Sequence, residues 1–112
     1  MTRVVFTRMP DGALATVDIQ GHAGYAEEGE DIVCSAITSA VQLTHILLDD
    51  IRGLVFRTTV EQEGAHIRIE LPVGAREGAK DAMEALFVHY NEMQENYADF
   101  ITVLEVYSDA EN

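Results

Sequence analysis

Two pairs of strand-like runs, each pair closed by a tight turn and followed by a helix-length apolar stripe, restrict this chain to few folds. The first turn is Pro10-Asp11-Gly12. Proline presets one backbone dihedral and glycine accepts the left-handed one, so the chain folds back on itself there. Before it, Arg3 to Met9 reads as a strand, because Val4, Val5, Phe6 and Thr7 are β-branched or aromatic. After it, Ala13 to Gln20 alternates, with Ala15, Val17 and Ile19 on one face and Leu14, Thr16, Asp18 and Gln20 on the other. Gly21 ends this second strand. Leu54 to Glu61 and Ala65 to Leu71 form the second pair around Gln62-Glu63-Gly64, with Ile67, Ile69 and Leu71 turned inward.

Helical periodicity follows each hairpin. Ala36, Ile37, Ala40, Val41, Thr44, Leu47, Leu48 and Ile51 recur at three- and four-residue spacing, which predicts one helix from about Ile32 to about Arg52. Asp31 is placed to cap its start and Gly53 to close its end. Ala79, Met83, Leu86, Tyr90, Met93 and Tyr97 predict a second helix from about Ala75 to about Asn96. Phe100 to Tyr107 reads as a short final strand, followed by an acidic tail. The order is therefore ββαββαβ, with hairpins rather than crossovers. It predicts an α+β, two-layer fold: a mostly antiparallel sheet with two helices packed on it. At 112 residues, with no internal boundary, the expectation is a single domain spanning 1–112.

The chain carries 20 acidic and 7 basic residues, a formal charge of −13. So negative a surface repels nucleic acid and anionic membranes and attracts basic partners. No uninterrupted apolar run is long enough to span a bilayer. Met1 to Phe6 reads straight into a strand and lacks the regions of a signal peptide, so the expected location is cytoplasmic. A single cysteine excludes an internal disulfide, a CxxC pair and a multi-cysteine zinc site.

That cysteine, Cys34, falls in the first turn of the first predicted helix, and His22 lies twelve positions before it (34 − 22). A helix start favours a thiolate through its positive dipole end, and a histidine held nearby can take the thiol proton. The two are the minimal pair for nucleophilic acyl transfer. Each residue also has a plainer reading: Cys34 as a packed core cysteine, His22 as a surface turn residue. Asp31 has two roles open to it, as N-cap or as a carboxylate orienting His22. In either role its charge opposes thiolate formation at Cys34. Backbone N–H groups at the helix start, those of Cys34 or Ser35, are candidates for an oxyanion site. Between the pair, Gly24 and Gly29 bracket Tyr25-Ala26-Glu27-Glu28, a polar segment without apolar period, expected to move and to cover a substrate. His45, about 16 Å along the same helix, and His66 and His89 make no metal-ligand spacing with one another.

The run Gly21-His22-Ala23, an acidic loop with Gly29, then Asp31-Ile32-Val33-Cys34, resembles the ribosomal-processing cysteine protease (Prp) family. In length and order of elements the resemblance spans the chain; its signature lies within Gly21 to Ser39. It implies a homodimeric endopeptidase that needs no cofactor, with Cys34 as nucleophile and His22 as general base. It also implies a substrate: a basic protein of the large ribosomal subunit, made with a short N-terminal extension. Asp31 matches a further position of the pattern. A serine common four residues after the cysteine is Thr38 here. Two other readings stand beside this one: a non-enzymatic ribosome-associated binding module with a structural cysteine, and a mononuclear metal site of His22, Asp31 and Cys34, which lacks a fourth ligand.

Overall fold

A computed structural model of the chain describes residues 1–22 and 31–109. Strand β1 (Thr2–Arg8) pairs antiparallel with β2 (Leu14–Gln20), as the Pro-Asp-Gly turn requires. The second hairpin consists of β3 (Arg57–Glu61) and β4 (His66–Glu70). These join the final strand β5 (Ile101–Tyr107) in one five-stranded sheet of order β3-β4-β2-β1-β5. Strand β4 runs antiparallel to β2, whereas β5 runs parallel to β1. The sheet is therefore mixed, with one parallel pairing among antiparallel ones.

Helices α1 (Ile32–Ile46) and α2 (Val73–Asn96) cover one face of the sheet. Val4, Phe6, Val17, Ile19 and Ile69 from the strands meet Val33, Ile37 and Val41 of α1 and Met83, Leu86 and Tyr90 of α2. Tyr90 is fully buried, and its hydroxyl donates to the Ile37 carbonyl at 2.6 Å, tying the two helices together. Arg8 lies over the ring of Phe87 and donates to Glu84 and Glu105, which fastens α2 to β1 and β5.

Several predicted boundaries shift. The first helix is not α-helical to Arg52: it ends at Ile46 and continues as a π-helical turn, Leu47–Ile51. Gly53 then takes φ 65°, and the N–H groups of Gly53 and Leu54 return to the carbonyls of Asp49 and Leu48. The buried stripe is Val33, Ile37, Val41, Thr44 and Leu48, while the predicted members Leu47 and Ile51 face outward. The wider turn rotates Ile51 away from the sheet. Strand β3 begins at Arg57 rather than Leu54, and α2 begins at Val73, directly after Pro72. Leu14, placed on the polar face by alternation, is buried because the β1–β2 register slips between Thr7 and Arg8.

One composition reading is corrected as well. Ile32–Ile51 is 20 residues long and contains an 18-residue window of mean hydropathy 1.5, long and apolar enough to cross a membrane by length and composition. Ser, Thr, Gln and His interrupt its apolar letters, and its charges, Asp49 and Asp50, are confined to the last turn, so no uninterrupted run is visible. Only 28% of that window is buried, because Leu43, Ile46, Leu47 and Ile51 are turned away from the sheet.

Candidate active site

The site is assembled where β2 ends and α1 begins. Gly21 takes φ +88°, and a Cβ there would stand 2.7 Å from the carbonyl oxygen of Met1. Only glycine satisfies both conditions. Its N–H donates to Ala65 at 3.0 Å and its carbonyl accepts the Thr2 hydroxyl at 3.2 Å. The exit of β2 is thus pinned to both of its neighbours. That directs the next residue, His22, out of the sheet, and its side chain is exposed.

On the other side, Asp31 caps α1. Its φ of −78° and ψ of 104° are extended, as an N-cap requires, and the residue is 4% exposed. Oδ1 accepts the N–H groups of Val33 and Cys34, both at 2.9 Å. The Asp31 carbonyl accepts the N–H of Ser35 at 3.0 Å. The cap role is therefore filled. The same bonds overturn one expectation: the N–H groups of Cys34 and Ser35 are engaged by Asp31 and are not free to hold an oxyanion. The reason is geometric, since an aspartate cap claims the first-turn donors that sequence inspection leaves open.

Cys34 forms no disulfide and is partly buried at the edge of the core. It and His22 line one cleft of about 190 Å³. Thr38, one turn beyond Cys34, lines it too. The opposite wall comes from the β3–β4 hairpin, with Val60, Gln62, Ala65 and Ile67. Sequence inspection did not find these hairpin residues. They come close because β4 lies beside β2, a neighbourhood that no local pattern announces. The backbone bond from Gly21 to Ala65 marks the junction, and Ala65 itself takes φ 45°.

His66 stands in strand β4, as its hairpin position predicts, and lines this cleft too. Its Nε2 lies 3.0 Å from Asp18 Oδ1, and Arg68 donates to the other oxygen of Asp18 at 2.7 Å. His45 packs edge-on against Phe56, and His89 lies beside Tyr90. No cluster of three His, Cys, Asp or Glu side chains suited to a metal ion occurs among the described residues. Gly24, Tyr25 and Gly29, the expected covering loop, lie outside the described residues.

Residues 1–102 match the model of the family described as cysteine protease Prp. The chain belongs to this family. The Prp assignment extends over most of the chain: the ribosomal processing cysteine protease Prp of Bacillus subtilis is 24% identical over 107 residues, covering 92% of this chain and 96% of that protein. The fold agrees. The crystal structure of the essential ribosomal processing protease Prp from S. aureus, with a covalently linked product peptide, superposes with a TM-score of 0.86 at 21% identity. It covers 96% of this chain and 100% of that one. A Streptococcus mutans structure superposes at 0.84 with 25% identity, covering 96% of each chain. Prp membership makes the chain a cysteine protease and decides against the non-enzymatic binding module.

Proposed function

We propose that this Prp-family protein is a cysteine endopeptidase that removes a short N-terminal extension from a basic large-subunit ribosomal protein. The carrying observation is that His22 and Cys34, twelve positions apart, line the same cleft. In this reading Cys34 Sγ, deprotonated by the His22 imidazole, attacks the scissile carbonyl. The imidazolium gives its proton to the leaving amine as the C–N bond breaks, leaving a thioester on Cys34. Water, deprotonated by His22, then hydrolyses the thioester and restores the thiol. Asp31 serves this chemistry by fixing the first turn of α1, and so the direction in which Cys34 points. The relatives' names, which speak of ribosomal processing, support the substrate class.

Charge supports it too. A protein of formal charge −13 draws a basic substrate, and association slows as salt screens exposed charges beyond about 8 Å at physiological ionic strength. The same proposal includes a cytoplasmic location, no direct nucleic-acid partner and a homodimer. For the dimer the candidate surface is the outward row of α1, where Leu43 is 68% exposed beside Ala82 and Ala85 of α2.

The test is incubation with the N-terminally extended ribosomal protein, read by mass spectrometry. Loss of the extension with the native protein, and none with Cys34→Ala or His22→Ala variants that keep native circular dichroism, is the expected result. Full cleavage by folded Cys34→Ala removes the nucleophile assignment.

A further inference from the structure

The helix layer stops short of one edge of the sheet. Thr58 and Val60 of β3 stand opposite Ile69 and Ile67 of β4, and directly paired residues share a face. Both therefore look toward the helices. Yet Val60 is 63% exposed, so no described helix covers it. Between it and α1 lies a groove of about 430 Å³, walled by Val41, His45 and Ile46 on the helix and by Thr58, Val60 and Ile67 on the strands. That volume is within the range of sites that hold ligands, roughly 300–1,000 Å³. Thr38, Val60 and Ile67 line both this groove and the cleft of Cys34, so the two are continuous.

Two further observations indicate an occupant. The Thr58 hydroxyl is buried and has no hydrogen-bond partner among the described residues, in a wall that is otherwise mostly apolar. A buried hydroxyl without a partner is unfavourable in the free protein and becomes favourable when a ligand supplies the bond. Strand β3 is also the end of the sheet, so its outer backbone edge is paired with no other described strand. Such an edge accepts an extended peptide as an added strand, with alternate side chains turned into the adjoining groove.

We infer that this groove seats the substrate chain on one side of the scissile bond, in extended form, with an apolar side chain against Val41 and Val60 and a polar backbone group on the Thr58 hydroxyl. The inference rests on the proteolytic reading above and adds where specificity is read. Position follows from geometry. Val41 is seven residues past Cys34, or about 10 Å along the helix axis. An extended chain covers that distance in about three residues. The groove therefore selects an apolar side chain about three residues from the bond that Cys34 attacks, and its Val60 wall rejects a charge there.

The experiment compares wild type, Val60→Asp and Thr58→Val on the extended ribosomal protein. The expected result is a KM raised about tenfold in Val60→Asp with kcat changed far less, since a buried apolar contact of this size corresponds to about that factor. Thr58→Val should raise the thermal midpoint of the free protein while also raising KM, a crossed pattern that a merely structural threonine does not give. An unchanged KM in folded Val60→Asp overturns the inference. So does a KM unchanged while the thermal midpoint or the oligomeric state shifts, which assigns the groove to the protein's own chain or to a second copy. Binding of a fluorescein-labelled extension peptide to Cys34→Ala, measured by anisotropy, separates this from the catalytic proposal. Binding that Val60→Asp weakens, without cleavage by wild type, keeps the groove and defeats the proposed processing of this substrate. Cleavage with Val60→Asp binding normally does the reverse.

Discussion

Asp31 holds the backbone N–H of Cys34 at 2.9 Å, so the residue that starts the helix also fixes the residue proposed to attack the substrate. Removing the carboxylate in Asp31→Ala is expected to cost about 1 kcal/mol of stability, the usual loss for a helix cap. Asp31→Asn keeps an oxygen for the cap and should recover most of it. Denaturant unfolding measures both. If the carboxylate acts only as a cap, cleavage rates should follow the same order, with Asn near wild type. A folded, fully stable Asp31→Asn without activity would show that its charge is needed.

Gly21 is the tightest backbone position at the site. With φ +88° and the Met1 carbonyl where a Cβ would lie, Gly21→Ala is strained on two counts. A loss of about 2 kcal/mol is expected. Activity should fall as well, because the bonds to Thr2 and Ala65 that aim His22 would shift. Thermal melting alongside a cleavage assay checks this. Gly12, also at positive φ but with open space around it, serves as the control: Gly12→Ala should leave activity alone.

The bond from Tyr90 to Ile37 predicts an alkaline effect. Burial pushes the Tyr90 hydroxyl well above its ordinary value of 10.0. A folded-state value above the unfolded one means the stabilisation is complete below about pH 10 and is lost as pH rises past it. Tyr90→Phe should cost about 1 kcal/mol at neutral pH, the size of a lost hydrogen bond. It should also shallow the fall in stability above pH 10. Unfolding free energies measured from pH 8 to 11 give the comparison.

At the acid end the informative residue is Glu105. Its hydrogen bond from Arg8, then that from Tyr107, hold its carboxyl below the ordinary 4.5. Stability from this group is present above about pH 4.5 and lost as pH falls through the lower folded-state value. Glu105→Gln should flatten that part of the acid limb. Arg8→Met, which keeps the contact with Phe87 but drops the charge, should flatten it similarly and cost about 1 kcal/mol at neutral pH. An acid limb unchanged in both variants would assign the acid sensitivity to other carboxylates.

Periodicity made the elements legible. Alternation identified Val17, Ile19, Ile67 and Ile69 as inward residues, and three- and four-residue spacing identified Ile37, Val41, Met83 and Tyr90. The segment from Gly21 to Cys34 was also legible as the joint between the second strand and the first helix, and its two ends, His22 and Cys34, line one cleft. The neighbours that each element acquires in space were not legible. The sequence order of strands says nothing of β4 lying beside β2, so the place of Val60 and Ile67 on the far wall of the cleft was not foreseen. Nor does a first-turn cysteine reveal that its N–H is already taken, because this depends on which oxygen of Asp31 turns inward. Leu14 escaped its face through a one-residue slip that alternation cannot foresee.

The position of β1 carries a consequence for synthesis. It lies between β2 and β5, so it finds one partner almost at once and waits for the other until residues 101–107 have emerged. Until then Val4 and Phe6 border an unfilled edge, and β1 offers free backbone groups to any extended chain nearby. Pairing across nearly the whole length of the chain is also slow to form. The cysteine and histidine are made early, but the sheet that holds them closes only with its last strand. A nascent copy of this protein is therefore most exposed to mispairing in the interval before its C-terminal strand arrives.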